Sequence, residues 1–135
     1  MLLNGGTLDG VRVVSPASVD TLLAEVWRFN GSNGNSSAEG GLNPGFYCSY
    51  GHAAQQIPTP VRGCADDMGT RGATLVGHAG DAYGLKSGIW IDRVRGRGIA
   101  YFVTGVPEHA QRDDRSAFTA AEARAFRRTY ALLPR

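Results

Sequence analysis

The sequence predicts an α/β chain of the α+β type, in which helices cover an antiparallel sheet. Two apolar runs, Leu85–Asp92 and residues 98–104, flank the turn Arg93-Val94-Arg95-Gly96-Arg97, where Gly96 is free to take a positive φ, and read as a hairpin. Leu85, Ser87, Ile89 and Ile91 share one face with Trp90 on the other, and Ile99, Tyr101 and Val103 oppose Ala100 and Phe102. Apolar groups on both faces call for cover on both sides, at least in part. Two helix starts supply it. Ser15-Pro16 places Ser at an N-cap and Pro at the first helical position, and Thr119-Ala120-Ala121-Glu122 is a capping-box pattern.

The elements follow in order. Met1-Leu2-Leu3-Asn4 before Gly5-Gly6 reads as the last turn of a helix with its glycine stop. Residues 7–14 form a short extended segment with Asp9-Gly10 as its turn. Val19, Leu22, Leu23 and Val26 recur at helical spacing, so the helix opened by Ser15-Pro16 is expected to run to about Trp27. Residues 30–45 are a flexible Gly/Asn/Ser loop. Within it Asn30-Gly31-Ser32 and Asn35-Ser36-Ser37 match glycosylation sequons by letter only. Residues 46–57 read as one aromatic strand containing Tyr50-Gly51 and ended by Pro58 and Pro60. A polar loop over 62–72 holds Cys64, Asp66 and Asp67. The apolar run Ala73-Thr74-Leu75-Val76 is a strand that leads into Gly77-His78-Ala79-Gly80-Asp81. In the last helix Ala123, Phe126, Tyr130 and Leu133 line one face and pack on the sheet.

Length and charge bound the function. The 135 residues suffice for one domain of modest core, spanning 1–135. A net charge of +2 is too small to argue for nucleic acid or a membrane surface as partner, and no nucleic-acid partner is expected. No apolar run reaches the roughly 18 residues of a transmembrane span. Lys86 is the one lysine available to a mechanism, and the three turn arginines read as solvated. The spacing of Cys48 and Cys64 fits no zinc pattern. The pair is either a disulfide, worth about 3 kcal/mol for a loop of about 15 residues, or two buried thiols. A disulfide implies an oxidising compartment. Since residues 1–6 carry no export signal, Met1 is then not expected to be the start of the natural domain.

His78 is the focus of any chemistry. A histidine between glycines at a strand end is either a hydrogen-bonded structural residue or a site where a backbone or ligand approaches closely. Cys48 with His52, as a thiol–imidazole pair, has no supporting signature, and no Gly-x-Ser-x-Gly elbow is present.

Taken in order, residues 1–6, Val14-Ser15-Pro16, Tyr50-Gly51, Gly77-His78-Ala79-Gly80, Gly84 with Ser87, and Tyr101-Phe102-Val103-Thr104 resemble the C-terminal part of the serine β-lactamase-like family. That family takes in class C β-lactamases, related esterases and the penicillin-binding-protein-like D-Ala-D-Ala peptidases. The resemblance covers nearly the whole chain. It implies a serine hydrolase that acylates an active-site Ser with an ester, amide or β-lactam carbonyl and then hydrolyses the acyl-enzyme, with no metal or organic cofactor. Of three motifs, Ser-x-x-Lys, Tyr-x-Asn and Lys-Thr-Gly or His-x-Gly, only the third is present, as His78-Ala79-Gly80. His78 would hold the substrate and tune proton transfer, Ala79 and Gly80 would let its backbone approach, and the Asp81 N–H would be one oxyanion-hole donor. Tyr83 would line the cleft or serve as a packing aromatic. The parent would be periplasmic or secreted. Position 83 is Tyr, so Lys86 completes no Ser-x-x-Lys, and this chain alone is expected to be inactive. Its partners would be a small acyl substrate and the missing N-terminal portion, whose first strands pair beside the strand at 98–104, otherwise an unpaired edge. The alternatives are a non-catalytic module that associates through that edge, and a secreted, disulfide-stabilised binding domain.

Overall fold

The computed structural model describes residues 1–33 and 44–133. A single 3₁₀ turn, Leu2–Asn4, stops at Gly5, whose φ of 58° is left-handed. A two-stranded ribbon follows, β1 (Thr7–Leu8) with β2 (Val11–Arg12), reversing at Asp9-Gly10. Helix α1 (Pro16–Leu23) is capped by Ser15, whose hydroxyl accepts the Ser18 N–H. The main sheet is antiparallel throughout and has six strands in chain order: β3 (Glu25–Arg28), β4 (Ser49–Gly51), β5 (Gln55–Ile57), β6 (Leu75–Ala82), β7 (Leu85–Asp92) and β8 (Arg97–Val103). Helix α2 (Ala120–Ala131) closes the described chain with the full capping box, Thr119 and Glu122 each accepting the other's backbone N–H.

Two cores flank the sheet. On one face α2 lays Phe126 and Tyr130 against Leu75, Trp90, Ile99 and Tyr101, with Ile57, Met68 and Phe118 filling the layer. On the other, Val19 and Leu23 of α1 meet Ala54, Val76 and Ile91. The cover on this second side is partial, because Ile89 stays 57% and Phe102 73% exposed.

Three sequence expectations are corrected. The first helix ends at Leu23, not near Trp27, because Ala24 is extended and residues 25–28 form β3. Val26 fits the helical spacing yet is exposed. Trp27 and Arg28 pair with Tyr50 and Ser49, and strand-favouring Val and Trp suit that pairing. Residues 46–57 are two strands rather than one, reversing at His52-Ala53, where the Gly51 N–H donates to the Ala54 carbonyl. A Cβ at Gly51 would lie 2.1 Å from the Ala24 carbonyl oxygen, so the turn requires glycine. The turn arginines are not merely solvated. Arg93 pairs with Asp20, while Arg95 and Arg97 approach the buried Asp92 carboxylate at 3.0 and 3.5 Å. Burial opposes the charge on Asp92, but the Arg95 N–H and the two guanidinium groups hold its carboxyl below the usual range.

Of the loop expected over residues 30–45, positions 34–43, including the Asn35 sequon, lie outside the described residues. The strand near residues 98–104, seen as β8, is at the sheet's edge as expected. Among the described residues no helix is long and apolar enough to cross a membrane.

Candidate functional site

The site is built on the upper half of β6. β5 pairs with β6 only from Leu75 to Gly77, and no described strand continues that ladder. β6 runs on to Ala82 and returns as β7 through Tyr83-Gly84, with φ values of 51° and 82°. Positive φ at both central residues is the tight two-residue hairpin turn, in which the flanking pair, Ala82 and Leu85, bond each other. Backbone groups alternate along a strand. His78, Gly80 and Ala82 therefore direct N–H and C=O toward β7, while Gly77, Ala79 and Asp81 direct theirs outward. Gly77 meets β5; Ala79 and Asp81 meet an open edge.

His78 is exposed, and its Nδ1 donates to the Ala79 carbonyl. That bond fixes the tautomer, so the neutral ring carries its lone pair on Nε2. The ring stands edge-on to Tyr50 at 5.9 Å. Tyr50 meets Tyr47 at 5.9 Å, Tyr47 meets Phe46 at 4.8 Å, and Phe46 meets the buried Phe118 at 4.5 Å. This run of rings ties the imidazole to the core. Gly80 sits over Ser87, where a Cβ would come within 2.4 Å of the hydroxyl.

A cleft of about 620 Å³ lies along this stretch, lined by Phe46 and Tyr47, by His78 to Asp81, and by Lys86, Thr119 and Glu122. Lys86 pairs with Asp81 across the β6–β7 ladder. Glu122 is buried, which pushes its carboxyl up; two bonds from Thr119, at 3.0 and 2.7 Å, work against that.

The structure thus brings His78, Ala79, Gly80 and Asp81 to one cleft. Tyr83 is elsewhere: it is fully exposed at the hairpin tip, on a neighbouring recess with Val106, Pro107 and Glu108, and it is not a packing aromatic. Cys48 and Cys64 are joined as a disulfide with a Cα–Cα distance of 5.9 Å. That removes both the two-thiol alternative and any Cys48–His52 nucleophile. The bond ties the Phe46-Tyr47 wall to the 62–72 loop.

Neither a family nor a close relative marks the chain. No family model, curated protein or solved structure matches it. The site therefore rests on its own geometry. Sequence reasoning missed Phe46, Tyr47, Thr119, Glu122 and the Asp81–Lys86 pair. The capping box located Thr119 and Glu122 on a helix, but nothing local to them says that this helix end borders β6.

Proposed function

We propose that this chain is the C-terminal portion of a serine hydrolase of the β-lactamase, esterase or D-Ala-D-Ala peptidase type, acting on ester, amide or β-lactam carbonyls through an acyl-enzyme. The observation that carries the reading is the outward Asp81 N–H on an open strand edge, beside His78 and above an aromatic-walled cleft. A carbonyl laid along that edge meets a fixed backbone donor where negative charge develops during acyl transfer. The His78 ring, held by the Ala79 carbonyl, presents a basic nitrogen able to relay a proton. Gly80 keeps the strand slim.

The chain supplies no nucleophile for this chemistry: its sequence has no Ser-x-x-Lys and both its thiols are oxidised. The serine and its lysine come from a preceding portion of the same domain, which pairs beside β8. The parent works in the periplasm or outside the cell, where a disulfide persists.

The test is reconstitution. The chain alone should not turn over nitrocefin or a p-nitrophenyl ester. With a preceding fragment bearing Ser-x-x-Lys, a fluorescent acylating probe should label that fragment only when this chain is present, and His78→Ala should weaken the labelling. Turnover by the isolated chain, or labelling indifferent to it, overturns the reading. A second reading, a non-catalytic module that associates through a sheet edge, is favoured by the outer edge of β8, beside which no described strand lies.

A further inference from the structure

We infer that two copies of this chain pair through β8, antiparallel and centred on Ala100, to join their sheets across a twofold axis. The inference rests on β8 alone and concerns the chain by itself: the preceding portion proposed above would pair beside the same strand, so the two pairings exclude each other.

The hairpin turn fixes which backbone groups β8 offers. With Leu85 bonded to Ala82, alternation turns Lys86, Gly88, Trp90 and Asp92 toward β8. Their partners Val103, Tyr101, Ile99 and Arg97 are consumed by that ladder. Gly98, Ala100 and Phe102 direct their N–H and C=O outward, and β8 is the last strand of the sheet. The ladder runs from Lys86↔Val103 to Asp92↔Arg97 without a register shift, so the edge is regular.

The same three residues have the symmetry of a self-pairing strand. About Ala100, Gly98 of one copy opposes Phe102 of the other, Ala100 opposes Ala100, and all seven residues of β8 find a partner. Each outward pair exchanges two hydrogen bonds, about six in all. Centring on Ile99 or Tyr101 leaves one outward residue of each copy unmatched. Side-chain size agrees with the register: the exposed Phe102 ring lies over the bare Gly98 of the second copy, and small alanines meet at the axis. Charge agrees too. Natural edges are guarded by lysine, proline or a bulge, and the outward residues of β8 carry none of these. The one charged residue of the strand, Arg97, falls opposite Val103, which keeps the two guanidinium groups about 20 Å apart at 3.4 Å per residue. Ile89, Ala100 and Phe102 lie exposed on the face that α1 leaves open, so pairing brings two such patches side by side.

The experiment is light scattering and sedimentation on the full chain, with no fragment or substrate present. The expected mass is twice 14.3 kDa across the micromolar range. Ala100→Lys and Ala100→Asp, at an exposed position, should each run as a folded monomer, and mixing them should restore the dimer through opposite charges at the axis. Ala100→Cys should cross-link to itself under mild oxidation, whereas Phe102→Cys, facing Gly98, should not. A wild-type monomer, a dimer that survives both charged variants, or equal cross-linking at 100 and 102 overturns the inference. Should a charged variant fail to fold, the cysteine pair decides. A negative acylation result leaves this outcome untouched, and a monomeric chain leaves the acylation test intact.

Discussion

The two halves of the β6–β7 hairpin share one ladder and have opposite surroundings. In the lower half Leu75, Val76, Trp90 and Ile91 are buried between α1 and α2. In the upper half His78, Asp81 and Ile89 are exposed, and the neighbouring strand has stopped at Gly77. The register does not change between them. The lower half therefore holds the strand rigid, and the upper half inherits that rigidity while no described strand pairs with its edge. A binding edge is more exact when it extends a packed strand than when it sits on a loop.

That contrast can be broken most directly from below. Trp90→Ala removes a side chain that is 1% exposed and should cost about 3–5 kcal/mol by denaturant unfolding. A cost under 1 kcal/mol would mean that the floor does not carry the hairpin. Next comes the staple under the cleft wall: replacing Cys48 and Cys64 together by Ala should cost about 3 kcal/mol for a loop of this length.

Asp66 offers a third test through pH. Burial pushes its carboxyl up to about 6, although the Thr59 N–H, at 2.8 Å, opposes this. The folded state therefore holds the proton more tightly than the unfolded chain. The stabilisation is fully present below about pH 4 and is lost as pH rises through about 6, an effect of about 3 kcal/mol. Asp66→Asn keeps an acceptor for Thr59 and should flatten unfolding stability across that window; an unchanged slope assigns it to another group. The smallest effect belongs to the upper half. His78→Ala should move stability by less than about 0.5 kcal/mol, so any loss of acyl labelling in the reconstituted system reports chemistry rather than folding.

What the sequence made legible follows from how local each cause is. The capping box, the Ser15-Pro16 start and the β7–β8 hairpin depend on neighbours in the chain, and all appear in the structure. The end of α1 was misplaced because Val26 matches a helical stripe, while the pairing of Trp27 and Arg28 with Tyr50 and Ser49 is set by residues more than twenty positions away. His78, Gly80 and Asp81 were legible as a motif. The wall facing them was not, since Phe46 and Tyr47 reach the cleft through a disulfide and a ring-to-ring chain that no local pattern encodes.

The hydrogen bond from His78 to the Ala79 carbonyl also gives the open edge a grammar. A free strand edge speaks in alternating donors and acceptors, and another strand can answer it. Here one acceptor is already occupied by the chain's own imidazole, so the Ala79 and Asp81 N–H groups outnumber the remaining carbonyl. Such an edge departs from the even alternation of donors and acceptors that a neighbouring strand meets. Releasing the His78 ring from that carbonyl is what would restore the ordinary alternation of a β edge.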